Sequence, residues 1–187
     1  MPHELTSVVL PALYTHFNKP ENRSRLKVLA EWDRSFEKWF QWEVAFALYD
    51  PLMQLGRETW SNERWNTWDL EVKRGKKRVD MVVPFEPLLL LELKVHVPWS
   101  FASKWLVGDG DCLQRDIHWI RSVKTQPAAA ILLAFEAPGY PILPESLGLP
   151  KPVDADPPRI DLGKIWRVNK KAPIGVTARL FAWSNQK

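Results

Sequence analysis

The sequence predicts an α/β sandwich, a central mixed β-sheet flanked by helices. Three observations carry that expectation. LLLLELKVHV and AAAILLAFEA are apolar runs of strand length, as expected of strands covered on both faces of a sheet. Helical patterns alternate with the strand patterns in the order α–β–β–β–α–β. The chain has 187 residues, 45% hydrophobic and 26% charged, which is enough for one ordinary core and too little for two.

Residues 24–49 read as mainly helical, because Phe36, Trp39, Phe40 and Ala47 recur at helical spacing, and Asp50-Pro51 should end or kink that helix. TWDLEV (67–72), a basic turn containing glycine, RVDMVV (78–83), a PFEP connection and LLLLELKVHV (88–97) predict an antiparallel three-strand meander. Its last strand, with four leucines in a row, should be central. After the loop PWSFASKWLVGDG, a second helix is expected from about Asp111 to Val123. Pro127 then introduces AAAILLAFEA, another interior strand. Residues 137–163 are proline-dense and predict an extended loop, and KIWRVN and VTARLFAW follow as candidate edge strands. No Pro- or Gly-rich linker divides two cores, so residues 1–187 read as a single domain with its core at about 24–136. The 137–187 segment adds the proline-rich loop and the edge strands.

No run approaches the roughly 18 uninterrupted apolar residues of a membrane span, and the N-terminal residues lack the pattern of a signal peptide. A single cysteine, Cys112, excludes an intrachain disulfide or a Cys-cluster metal site and suits a cytoplasmic location. The net charge of +4 is concentrated: residues 71–78 (EVKRGKKR) hold five Lys/Arg against one Glu. Arg74, Lys76, Lys77 and Arg78 form either a solvated hairpin turn or a tip that contacts phosphates.

The chemistry concentrates in RVDMVVPFEPLLLLELKV. Strand alternation places Glu92 and Lys94 on one face, interrupting a run that otherwise asks to be buried. Folding the preceding strand back about Glu86 sets Asp80 opposite Glu92, with Cβ atoms about 5 Å apart. Two opposed carboxylates repel, and a divalent cation between them reverses the sign of that interaction. Oxygen ligands that leave room for water and a phosphate describe a Mg²⁺ site. A one-residue slip in register would put the two acids on opposite faces.

An Asp in one strand followed by Glu-X-Lys in the next, here Asp80…Glu92-Leu93-Lys94, resembles the PD-(D/E)XK nuclease superfamily and its restriction-endonuclease-like fold. The resemblance spans roughly residues 35–136; Val79 stands where the motif's name has proline. It implies a Mg²⁺-dependent nuclease, with Mn²⁺ as a substitute, that hydrolyses phosphodiester bonds, DNA being the expected partner and endonucleolytic cutting preferred. Asp80, Glu92 and the Leu93 carbonyl would ligate the cation, and Lys94 would orient the attacking water or stabilise phosphorane charge.

The superfamily often adds a glutamate from its first helix. Glu43, an acid in the apolar setting QWEVAFAL, is preferred to Glu37, which lies beside Lys38. Gln114 in the second helix is the auxiliary candidate, although His118 stands where the QxxxY motif of RecB-like exonucleases has tyrosine. Cutting both strands with one compact domain implies a homodimer. The competing reading is a nuclease-fold protein that binds nucleic acid or a protein partner without cutting.

Other features lead less far. Glu71-Val72-Lys73 repeats the Glu-X-Lys spacing without a carboxylate on a separate strand, and the four histidines lack zinc-ligand spacing. His96 shares the face of Glu92 and Lys94 and reads as a strand-end histidine. Trp60, Trp65 and Trp68 suit either packing or base stacking.

Overall fold

A computed structural model of the protein describes residues 4–32, 37–54, 70–74, 77–85, 87–98, 113–140, 142, 144–166 and 172–185. Three helices lead the chain. A π-helical turn, Leu5–Val9, runs into α1 (Leu10–Asn18), followed by α2 (Pro20–Trp32) and α3 (Glu37–Gln54). The helical prediction therefore began too late. Leu5, Val9, Leu13 and Phe17 recur every four residues and are all buried. Pro20 does not argue against helix, since it opens α2, where a missing N–H costs little, while Pro11 directly follows the π-helical turn, where the regular bonding pattern is already broken. The predicted 24–49 helix is two helices, and residues 33–36 between them lie outside the described residues. Asp50-Pro51 does not end α3, which continues to Gln54. Pro51 falls in the final turn, so its ring removes a backbone bond only near an end that is weakly held in any case.

Among the described residues, the sheet has six strands: β1 (Leu70–Arg74), β2 (Lys77–Val83), β3 (Leu89–His96), β4 (Ala128–Glu136), β5 (Ile160–Ile165) and β6 (Ile174–Ser184), in the order β1-β2-β3-β4-β6-β5. β1, β2 and β3 form the predicted antiparallel meander. β3 then pairs in parallel with β4 through a crossover containing α4 (Leu113–Ser122), which makes the sheet mixed. All nine residues of β4 are buried, as its uninterrupted apolar run requires. The β2–β3 register, Met81↔Leu91, Val82↔Leu90 and Val83↔Leu89, is that of a hairpin centred on Glu86.

The tail departs from expectation. Of the two tail strands, β6 is interior, between β4 and β5, and β5 lies at the edge opposite β1, beginning at Ile160 within the stretch read as loop. Arg179 gives β6 the look of an exposed strand, yet it is 3% exposed. Its guanidinium donates to Glu136 Oε1 at 3.3 Å, to Asp156 Oδ1 at 2.5 Å and to the Pro157 carbonyl at 3.2 Å, and it stacks 4.8 Å from the centre of the Phe181 ring. β5 bends at a bulge between Asp161 and Lys164, where Gly163 adopts φ +69° and donates its N–H to Asp161 Oδ1.

Each face of the sheet has its own core. Phe17, Phe40, Leu48, Met81, Leu91, Leu93 and Ile131 pack on the side of α1–α3. Val82, Leu90, Leu113, Ile117, Leu132, Phe181 and Trp183 pack on the side of α4. Each such side chain contributes about 1.5–3 kcal/mol on burial. The proline-rich loop adds Ile142 and Leu149 to the second core and is tied down by Trp183 Nε1–H to the Pro150 carbonyl (2.6 Å) and Val153 N–H to the Ala182 carbonyl (2.7 Å). Arg179→Ala leaves the buried Glu136 with only Arg159, at 3.5 Å, among its described ion-pair partners. Urea denaturation should show a loss of roughly 3–5 kcal/mol. Among the described residues, no helix is long and apolar enough to cross a membrane.

Candidate functional site

Backbone pairing between β2 and β3 stops at Met81↔Leu91, one step before Asp80 and Glu92. Beyond it, the Leu93 N–H donates to Asp80 Oδ2 at 2.7 Å, so a side chain stands in for the strand ladder. Gln41 Nε2, from α3, donates to Asp80 Oδ1 at 3.2 Å. Asp80 and Glu92 are also hydrogen-bonded to each other.

Lys94 supplies the cation. Its Nζ donates to Glu37 Oε2 at 3.4 Å and stands 3.6 Å from Asp116 Oδ2, so acids from α3 and α4 both reach it. Three acids, Glu37, Asp80 and Asp116, thus act on one ammonium, with Glu92 beside Asp80. Glu92 is 3% exposed and Asp116 4%.

The electrostatics follow from this imbalance. Burial pushes the Asp80 carboxyl above its usual range and the Asp116 charge adds to the rise, outweighing the Leu93 N–H, Lys94 and Glu92, which favour the ionised form. Burial likewise raises Glu37, helped by Asp80 and Asp116 and opposed by Lys94. Burial alone would lower Lys94, but Glu37, Asp116 and Asp80 together hold its ammonium above the usual range. His96, 8% exposed at the end of β3, is lowered by burial to about 4 and is neutral at physiological pH.

Asp80, Glu92 and Lys94 therefore come together as the sequence predicts, and two helix residues do not. Glu43 is buried away from this cluster, its Oε2 2.6 Å from His16 Nε2 and its Oε1 accepting from Arg25 at 3.0 Å. An acid in an apolar stretch does need a reason, but that reason is supplied by α1 and α2. Glu37 is the carboxylate that α3 brings to Lys94. Gln114 is exposed on α4, and Asp116 faces the cluster instead. Gln41 and Asp116 were the residues missed, and both had a readable signal. Gln41 stands one helical turn after Glu37, and Asp116 interrupts the buried stripe Leu113, Ile117, Ile120.

Arg74 closes β1, and Lys77 and Arg78 open β2, paired as Arg74↔Lys77 and Lys73↔Arg78. Arg78 lies two residues before Asp80 along the strand. Lys76, Trp60, Trp65 and Trp68 lie outside the described residues. A cavity of about 600 Å³ opens elsewhere, between α1 and α3, and no member of the acidic cluster lines it.

The donor set suits a hard cation: carboxylate oxygens and a neighbouring backbone carbonyl. Among the described residues, no three His, Cys, Asp or Glu side chains are arranged to hold a metal ion by themselves. A cation here would be held by Asp80 and Glu92, with its other positions filled by the Leu93 carbonyl, water and substrate oxygens. That division fits Mg²⁺, which keeps several waters and commonly takes only one or two carboxylates. Comparison with family models, with curated proteins and with solved structures found no match to this chain.

Proposed function

We propose that the protein is a Mg²⁺-dependent nuclease that hydrolyses phosphodiester bonds in DNA, built on a restriction-endonuclease-like fold. The observation that carries the proposal is the arrangement of Asp80, Glu92 and Lys94: two neighbouring buried carboxyls on adjacent strands, beside an ammonium held by further acids. Such a gathering of buried acids is well suited to take up a divalent cation. The resemblance of Asp80…Glu92-Leu93-Lys94 to the PD-(D/E)XK motif points the same way.

When bound, Mg²⁺ would polarise the scissile phosphate and acidify the attacking water. Asp80 and Glu92 would hold it, and Gln41 and the Leu93 N–H fix the Asp80 carboxylate in place. Lys94 donates hydrogen bonds to the oxygen on which charge develops as water attacks phosphorus and the ester P–O bond breaks. Arg74, Lys77 and Arg78 lie on β1 and β2, the latter two on the strand that carries Asp80, and would supply positive charge for the phosphates of the strand being cut. One such site cuts one strand at a time, so cleavage across a duplex calls for two copies.

Labelled duplex DNA, single-stranded DNA and RNA of equal length, incubated with Mn²⁺, test the reading. Internal cuts in DNA are expected. Cleavage of RNA alone would overturn the substrate assignment. DNA binding without cutting under any divalent cation would move the protein to the non-cutting class.

Glu37 and Glu43 give opposite expectations. Glu43→Gln should lower the melting temperature and leave cleavage per folded molecule intact, because it disturbs only the His16–Arg25 cluster. Glu37→Gln should lower the cleavage rate roughly 10-fold or more, as removal of a group that aligns a catalytic side chain does. Thermal unfolding and plasmid nicking on the same two samples check both.

A further inference from the structure

We propose that Asp116 is the positioning residue for Lys94, holding its ammonium from the α4 side while Glu37 holds it from the α3 side; this deepens the nuclease reading and rests on it. Asp116 is 4% exposed within the apolar stripe of α4, where an ionised carboxylate is retained only if a charge or hydrogen bond meets it. Lys94 Nζ is that charge, 3.6 Å from Oδ2. Its other held direction is toward Glu37 Oε2, at 3.4 Å.

The two helices belong to opposite faces of the sheet: α3 packs in one core and α4 in the other. Lys94 is thus anchored between layers, which restrains a flexible four-carbon stem that one exposed partner would leave free. The two anchors are not equivalent. The Glu37 side chain is 38% exposed and can turn toward water, whereas that of Asp116 is 6% exposed. Asp116, buried on α4, then keeps the ammonium in place. The arrangement separates two tasks: Asp80 and Glu92 hold the cation, and Asp116 aims the lysine.

The experiment uses full-length protein and three variants: Asp116→Asn, Asp116→Glu and, to identify the signal, Lys94→Met. The first readout is the ¹⁵N–¹H resonance of the Lys94 ammonium, which is visible only when the group is held out of fast exchange. It should be present in the wild type, lost in Asp116→Asn and retained in Asp116→Glu. The second is plasmid nicking, where Asp116→Asn should lower kcat on the order of 100-fold, as a misaimed group does, with KM unchanged and Asp116→Glu recovering most of the loss. The third is the Mg²⁺-induced rise in melting temperature, which Asp116→Asn should keep. Asp116→Ser gives the same readings where the asparagine variant does not fold.

An unchanged Lys94 resonance in Asp116→Asn overturns the proposal while active wild-type enzyme leaves the nuclease reading standing. Loss of the Mg²⁺ response in Asp116→Asn overturns it differently, by making Asp116 a ligand. Wild type that cuts nothing, with the resonance still dependent on Asp116, removes the nuclease reading and leaves Asp116 as the anchor of Lys94.

Discussion

Lys94→Ala is expected to lower Mn²⁺-supported DNA cleavage roughly 10²–10³-fold, the loss seen when a preorganised donor to developing oxyanion charge is removed. The expectation rests on where the ammonium lies rather than on its charge alone. Nζ is held at 3.4 Å from Glu37 and 3.6 Å from Asp116, beside Asp80, so it is aimed before substrate arrives. The same change leaves Glu37, Asp80 and Asp116 without their cation, so the variant should also be less stable at neutral pH. Mg²⁺ should recover part of that stability, because Asp80 and Glu92 remain to hold it. Single-turnover cleavage beside thermal unfolding separates the effects: the rate stays low at saturating cation while the melting temperature rises. Arginine should not restore the rate, since a planar guanidinium does not reproduce a compact ammonium on a flexible stem.

Asp80→Asn is expected to abolish the stabilisation that Mg²⁺ confers on the wild type, about 2.7 kcal/mol at a hundredfold excess over Kd. Both Asp80 oxygens accept hydrogen bonds, from Gln41 and from the Leu93 N–H. An asparagine can keep the Leu93 bond through Oδ1 and meet Gln41 through Nδ2 if the glutamine amide turns over. The variant should therefore fold. The pH dependence has a definite sign. Asp80 and Glu37 are raised above their ordinary values of 3.8 and 4.5, so the folded protein binds their protons more tightly than the unfolded chain. The stability they contribute is complete below those values and is lost as pH rises through the folded pKa. Cation-free wild type should thus lose this contribution as pH rises above the ordinary carboxylate range, and Mg²⁺ should restore more stability the higher the pH. Asp80→Asn should flatten both trends. Lys94, raised in the folded state, stays charged across that window and adds no slope.

Much of this arrangement was legible because local chemistry constrained it. The four leucines before Glu92 demanded a strand buried on both faces, and β3 lies between β2 and β4. A short PFEP connection left little freedom in pairing, so the hairpin register that places Asp80 near Glu92 followed from spacing. Illegible features depended on partners remote in sequence. Glu43 looked like a site acid because the helices that neutralise it, bearing His16 and Arg25, had not been recognised around Pro11 and Pro20. VTARLFAW looked like an edge strand because nothing local shows that Glu136 and Asp156 come to meet Arg179. Asp116 was hidden differently: it was visible as a polar residue on α4, but its role depends on a crossover that carries α4 to Lys94.

The most direct test is the nicking of supercoiled plasmid in Mn²⁺ by wild type and Lys94→Ala, purified identically, each with a chelator control. The account predicts nicked circles from the wild type, none with chelator and almost none from the variant. No nicking by the wild type across the divalent cations, or equal nicking by both proteins, would contradict it.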